Sequence, residues 1–476
     1  MHLQATYLLA LLPLLLTISC AQQPAQTSPP SSPAATLHVT TYDQSRLLQP
    51  QPVSLDTTEQ ADASLRIDPT VAYQEIDGFG YTLTGGSALH LSKMSAPARA
   101  AILHELFAPA DDGGIGVSYL RLSLGGSDLD EYPWSYDDLP AGATDVALDG
   151  FSLAYDTLYL IPLLREILVI APDVKLMASP WSPPTWMKDN GDTRGGSLLP
   201  DYHDVYARYL AKYVQAMAAE GIRIDALTVQ NEPLHPGNNP SLLMLAEQQA
   251  DFIKGSLGPV FRAQGIETKI IVYDHNADRP DYPISILDDP EAAAYVDGSA
   301  FHLYGGTIDA LSEVHDAHPG KHLYFTEQWI GAPGDFATDF AWHTENLIIG
   351  ATRNWSKTVL EWNLAADAQQ DPHTDRGGCD RCLGALTISG DEVVRNPAYY
   401  IIAQAAKFVP AGSVRIASSA TPFPSVAFRT PGGEVAVILQ NNDPTDKIVA
   451  ISDTGQALRV HLPAESVGTL VYRPRN

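Results

Sequence analysis

Residues 202–233 read YHDVYARYLAKYVQAMAAEGIRIDALTVQNEP. The first part repeats apolar side chains every three or four positions, as one buried face of a helix requires. The pattern then changes: residues 225–230, DALTVQ, form an apolar, β-branched run that reads as a buried strand. It ends on Asn231 and Glu232, and Pro233, which has no N–H for a sheet ladder, stops it. A helix feeding a buried strand whose tip carries a carboxylate is a building unit of an α/β fold.

The same unit recurs on both sides. Strand-like runs lie at residues 74–80 (QEIDGFG), 117–125 (VSYLRLSLG), 174–180 (VKLMASP), 225–233, 269–276 (KIIVYDHN), 298–304 (GSAFHLY), 321–327 (KHLYFTE) and 357–365 (KTVLEWNLA), eight in all. Helix-like stretches such as YDTLYLIPLLREIL, LLMLAEQQADFIKGSLGPVFRAQG and FATDFAWHTENLIIGATRNW lie between them. Eight repeats predict a closed (β/α)8 TIM barrel over residues 69–408, with a doubly wound open sheet as the competing layout.

The flanks differ. Residues 37–68 and 409–476 show short alternating runs broken by turn signals such as PGGE and NNDPTD. The first of these is too short to close a sheet, so the two are expected to combine into one all-β side domain, a β-sandwich. Ahead of them, residues 6–20, TYLLALLPLLLTISC, have the short apolar core and small-residue end of an export signal spanning residues 1–20. Cys20 is also placed for lipidation, as in a bacterial lipoprotein signal, although Thr17 departs from that pattern and no Lys or Arg precedes the apolar run. Residues 21–36, rich in Pro, Ser, Ala and Gln, suit a flexible tether. The expected location is periplasmic, outer-membrane-anchored or secreted, with a lipid on Cys20 as the one membrane attachment.

Charge narrows the partners. The chain has 29 Lys and Arg against 56 Asp and Glu, a formal charge of −27. Such a surface repels nucleic acid and anionic membranes but not neutral sugars, which bind through hydrogen bonds and aromatic faces. Besides Cys20 there are two cysteines, Cys379 and Cys382 in GGCDRC. They form a local disulfide, half a metal site or a redox pair; an exported chain favours the disulfide.

In a barrel of this kind the C-terminal strand ends share one mouth. Here those ends carry Arg121 with Asp128 beyond it, Trp181, Asn231 with Glu232, Asp274-His275-Asn276, His302 with Tyr304, Glu327, and Glu361-Trp362-Asn363. A lone glutamate at a strand end caps a helix or faces water as readily as it catalyses. Two of them among Trp, Asn, His and Tyr fit glycosidic hydrolysis, which requires one protonated and one ionised carboxyl group. Burial and the second carboxylate would raise the acid, while Arg121 and Tyr304 would stabilise the ionised nucleophile. Trp181 and Trp362 could stack on sugar faces or simply fill core. Asp128 and Asn231 could hold hydroxyls. The segment GGSDLDEYPWSYDD, residues 125–138, reads as a solvated acidic loop or, less readily, as a calcium site.

These residues bear a broader likeness. IDGFGYTLTGGSA, YLRLSLGGSDLD, LMASPWSPPTWMKDNG, LTVQNEP, DPEAAAYVDGSAFHLY, LYFTEQWIG and LEWNLA occur in the order found in glycoside hydrolase family 30. The chain resembles the branch of that family containing glucosylceramidases and microbial β-1,6-glucanases. The resemblance implies that Glu232 is the acid/base at the end of strand four and Glu327 the nucleophile at the end of strand seven. It further implies that Asp128, Trp181, Asn231, Tyr304 and Trp362 line the subsite for the cleaved sugar, with Arg121 and His302 behind them. No metal and no cofactor is implied. Under a retaining, double-displacement mechanism the two carboxyl groups should lie about 5–5.5 Å apart, against roughly 6.5–9.5 Å for inversion. Residues 234–241 (LHPGNNPS) and 367–382 (DAQQDPHTDRGGCDRC) depart from the animal lipid-cleaving enzymes and favour β-1,6-glucan over glucosylceramide. A non-catalytic glycan-binding lipoprotein and a transglycosylase using the same pair are the rival readings.

Overall fold

The computed structural model describes residues 1–2, 35–53, 59–419, 421–453 and 457–474. The export-signal stretch from residue 3, Cys20 and the tether up to residue 34 fall outside these. Among the described residues no helix is long and apolar enough to cross a membrane.

All eight strand-like runs become strands of one closed parallel barrel: Gly78–Leu83, Tyr119–Leu124, Lys175–Pro180, Ala226–Thr228, Lys269–Ala277, Val296–Gly306, His322–Glu327 and Ser356–Asn363. Neighbours pair in chain order, and the eighth closes on the first through Thr358 opposite Gly78. Helices pack outside. His203–Ala219 buries Val205, Tyr206, Tyr209, Leu210, Tyr213, Val214 and Met217, the stripe that its sequence spacing demands. The stretch expected as one helix over residues 242–265 instead starts at Ala246 and passes through a π-turn at Ile253–Leu257. Pro259 lacks the N–H that would reach back to residue 255, so the regular ladder cannot continue there.

Alternation along the strands builds two tiers inside the barrel. Tyr119, Met177, Ala226, Ile271, Ala300, Tyr324 and Leu360, from seven strands, pack as an apolar floor. Two positions further on come Arg121, Ser179, Thr228, His302, Thr326 and Trp362. The fifth strand breaks the rule. Tyr273 and Asp274 adopt φ of 73° and 65°, and the register shifts between Tyr273 and His275. Tyr273 therefore joins the outer core, and Asp274 takes the inward place.

The flanking β segments do combine. Ala35–Thr41 pairs antiparallel with Ser466–Tyr472, and Ala63–Glu75 joins Val414–Ser418 to Lys447–Ser452 within a nine-stranded sheet. Its inward residues, among them Leu37, Leu65, Val437, Val449, Val460 and Leu470, form a separate core. Two edges shift from expectation. The first strand opens at Ala35, inside the expected tether, and residues 69–75 continue a side-domain strand rather than starting the barrel. Pro69 is tolerated there because the pairing with Val414–Ser418 is irregular. Gln404 joins the two parts, accepting from Thr40 Oγ1 and donating to His38 O and Thr469 Oγ1.

Candidate active site

Asp274 is the hub of the upper tier. Its Oδ2 accepts from Arg121 at 2.8 Å and Thr228 at 2.7 Å, and its Oδ1 from Thr326 at 2.7 Å and His302 Nε2 at 3.1 Å. Burial would raise this carboxyl, but the Arg121 charge and the His302 and Thr326 donors hold it far below the usual carboxylate range. Arg121, fully buried, also donates to Glu327 Oε2 at 2.6 Å, Asn231 Oδ1 at 2.6 Å and Ser179 Oγ at 3.0 Å. Its guanidinium stands 4.9 Å from the ring centroid of Trp181. One cation thus fixes residues from four other strands or their extensions.

Glu327 stands at the tip of the seventh strand, as expected, and Tyr304 Oη donates to its Oε1 at 2.9 Å. Glu232 is delivered differently from the strand end read in the sequence. Its strand closes at Thr228, and the chain then leans on both neighbours: Asn231 N reaches Pro180 O at 2.8 Å and Glu232 N reaches Asp274 O at 3.0 Å. Glu232 has φ of 44°, a left-handed backbone that costs a non-glycine residue about 1–2 kcal/mol. These neighbouring contacts, rather than Pro233, end the regular strand. Asn238 Nδ2 donates to Glu232 Oε2 at 3.1 Å.

His302 lies between the two glutamates. Its Nδ1 is 3.3 Å from Glu232 Oε1 and 3.7 Å from Glu327 Oε1. It is completely buried behind them, so it orients carboxylates and does not face the pocket. Burial alone would lower its pKa; the Glu327 charge and the hydrogen bonds to Asp274 and Glu232 push it up to about 9. This inverts the expected split between the carboxyls. Burial pushes Glu232 up, but the closer His302 hydrogen bond and charge hold it down to about 2. Burial pushes Glu327 up, His302 and Arg121 pull it back, and the Glu232 charge adds to the rise. The two glutamates and His302 titrate as one unit.

A cavity of about 350 Å³ opens above this unit, and Asp128, Trp181, Asn231, Tyr304 and Trp362, the residues that the family resemblance placed around the cleaved sugar, are among those lining it. Trp181 and Trp362, 1% and 4% exposed, stack on each other at 5.5 Å and form a wall rather than a free platform. Trp181 Nε1 is buried with no hydrogen-bond partner among the described residues, a donor left for a ligand oxygen. Burial, then the charges of Glu327 and Glu232, push Asp128 up to about 8, so it can donate as well as accept. His235, Asn238, His275, Asn276 and Trp329 also line the cavity; the sequence puts His275 and Asn276 at a strand end but assigns none of the five a role. His235 and Asn238 lie in LHPGNNPS, one of the two divergent segments. The other supplies Cys379 and Cys382, which form a disulfide on the cavity wall, pinned where Gly331 pairs with Cys382. Glu361, also near a strand end, faces outward and pairs with His343 at 2.8 Å.

The acidic loop 125–138 uses carboxylates to cap its own turns. Asp130 Oδ2 accepts from Ser127 N and Oγ, and Asp138 from Ser135 N and Oγ. Glu232, His302 and Glu327 offer ligand atoms within 4.8 Å of one another, spacing that a metal could use. Arg121 and the His302 proton already place positive charge there, so the donor set suits proton chemistry better than a cation.

A parallel barrel with paired carboxylates over an aromatic-walled cavity is the architecture of a glycoside hydrolase. The Glycosyl hydrolase family 30 TIM-barrel domain matches residues 76–409, and the family 30 beta sandwich domain matches residues 412–470. The chain belongs to glycosyl hydrolase family 30. An endo-1,6-beta-D-glucanase of Aspergillus fumigatus is 33% identical over 426 residues, 84% of this chain and 85% of that protein. The lysosomal acid glucosylceramidase of Mus musculus is 29% identical over 439 residues, 86% of this chain and 83% of that protein. The solved endo-beta1,6-glucanase BT3312 superposes with a TM-score of 0.86 at 35% identity, covering 93% of this chain and all of that one.

Proposed function

We propose that the protein is a retaining endo-hydrolase of β-1,6-glucan, with Glu327 as nucleophile and Glu232 as acid/base. The carrying observation is the close carboxyl pair, with one oxygen of each within 4.8 Å, which supports the short separation of a retaining pair over the wider one of inversion. Glu327 attacks the anomeric carbon while Glu232 protonates the leaving oxygen; Glu232 then activates the water that releases the sugar. His302 Nδ1, 3.3 Å from Glu232 Oε1, shares with it the proton that the acid form of Glu232 requires. Tyr304 and Arg121 hold Glu327 in line. Likeness to endo-1,6-glucanases supports the substrate; likeness to glucosylceramidases keeps glucosylceramide as the second reading.

Product analysis on β-1,6-glucan, β-1,3-glucan, xylan and glucosylceramide separates the two. Glucosylceramide cleavage without glucan cleavage would sink the first. Glu327→Gln should abolish hydrolysis. Glu232→Gln should slow an unactivated sugar leaving group by about 10²–10⁴, and an activated aryl leaving group far less at the glycosylation step. Equal losses at that step would remove Glu232 from the acid role. We also infer export through residues 1–20, with lipidation at Cys20 as one route; mass spectrometry of the mature N-terminus distinguishes the two.

A further inference from the structure

The loop over residues 125–138 and the segment that follows it contain aromatic residues that the catalytic cavity leaves unused. Tyr132 and Tyr155 are 47% and 40% exposed, and their rings meet edge to face at 5.9 Å. Tyr155 leans on Trp134 at 4.6 Å, and Trp134 on buried Tyr136 at 5.2 Å. A second aromatic tier thus holds the exposed pair from beneath, so a ligand need not order it. A cleft opens beside the pair, with Asp130 and Asp156 supplying buried carboxylates to its lining.

This cleft is linked to the catalytic cavity by two loops. Asp128 and Cys379 line the cavity; Tyr132 and Arg376 line a neighbouring depression; Tyr132 and Pro372 line the cleft. Both loops therefore contribute to all three in turn. They are tied together where Thr374 N donates to Asp128 O at 3.0 Å, and Arg376 is fixed by paired hydrogen bonds to Asp192, both at 3.0 Å. Flat ring faces suit the C–H faces of a pyranose, and the exposed carboxylate of Glu131, also in the cleft lining, can accept its hydroxyls. The acidic lining excludes anionic glycans and admits neutral ones.

We propose that Tyr132 and Tyr155 form a distal platform for a neutral glucan chain whose other end occupies the catalytic cavity. The proposal rests on the β-1,6-glucan reading above. Such a platform contributes to binding of a polymer and nothing to a substrate too short to reach it.

The test compares the ratio of kcat/KM on β-1,6-glucan to that on an aryl β-glucoside in Tyr132→Ala/Tyr155→Ala. The ratio should fall by about tenfold, the scale expected for two ring contacts. Tyr132→Phe/Tyr155→Phe, which keeps both rings, should restore most of it. If the rings only support the fold, both substrates lose activity together and the ratio stays, which overturns the platform. A ratio unchanged in a variant of full activity overturns it as well. An unmutated enzyme that fails to cleave β-1,6-glucan would instead refute the substrate reading, and the platform as a site for that polymer would fall with it.

Discussion

The two tiers inside the barrel sit two residues apart on the same strands, yet their chemistry is opposite. The floor is wholly buried and, apart from tyrosine hydroxyls, apolar; the tier above holds Arg121, His302 and Asp274 with no water-exposed surface. A charged cluster at that depth is costly unless every charge is paired. The floor supplies rigidity through packing, and the upper tier supplies it through mutual hydrogen bonds centred on Asp274. Damage should therefore stay local on the floor and spread above it.

Asp274→Ala should give the largest effect. It strands Arg121 and His302 without their shared acceptor, and breaking a buried pair in this way costs about 3–5 kcal/mol. Urea unfolding measures the loss, and kcat/KM should fall with it because Arg121 and His302 also orient the glutamates. A loss below about 1 kcal/mol would mean that the tier does not act as a unit.

Ile271→Ala, three residues earlier on the same strand, tests the floor. Removing a buried isoleucine side chain costs about 2–5 kcal/mol through lost burial and a cavity. At temperatures where the variant stays folded, its pH–rate profile should match that of the unmutated enzyme. A displaced profile would show that the floor tunes the charges directly.

The same tiers explain how much could be read from the sequence. Short apolar runs predicted all eight strands and put Arg121, His302 and Trp362 near their C-terminal ends, at the barrel mouth. They could not place Asp274. That residue faces in only because two left-handed residues break the alternation, and nothing in KIIVYDHN announces the break. Glu232 was readable as an acid near a strand end, but its delivery by a turn depends on contacts with Pro180 and Asp274, far away in sequence. His235 and Asn238 reach the cavity from irregular loop backbone, where no periodicity exists to read.

A pH titration sharpens the comparison further. His302 has a folded pKa pushed up to about 9, against about 6.5 in an unfolded chain. A raised pKa means that the folded protein binds the proton more tightly, so this stabilisation is complete below about pH 6.5 and disappears as pH rises through about 9. Urea midpoints between pH 6 and 10 should fall across that window in the unmutated enzyme, and the fall should shrink in His302→Gln. An identical slope in both would assign the pH dependence to other groups.

The smallest effect is expected at the rim, where the Cys379–Cys382 bridge closes a loop of only four residues. Chain entropy for so short a loop stabilises the fold by no more than about 2 kcal/mol. The bridge packs against Trp329 and Trp362 on the cavity wall and contributes nothing to the Asp274 network. Cys379→Ser/Cys382→Ser should therefore loosen the wall without disturbing the carboxyl pair. The expected signature is a KM for glucan raised about two- to tenfold with kcat nearly unchanged, the pattern of lost uniform binding. A kcat that falls as steeply as kcat/KM would instead mean that the rim sets the geometry of Glu327, and that the separation between a strand-fixed reaction centre and a loop-fixed binding wall does not hold.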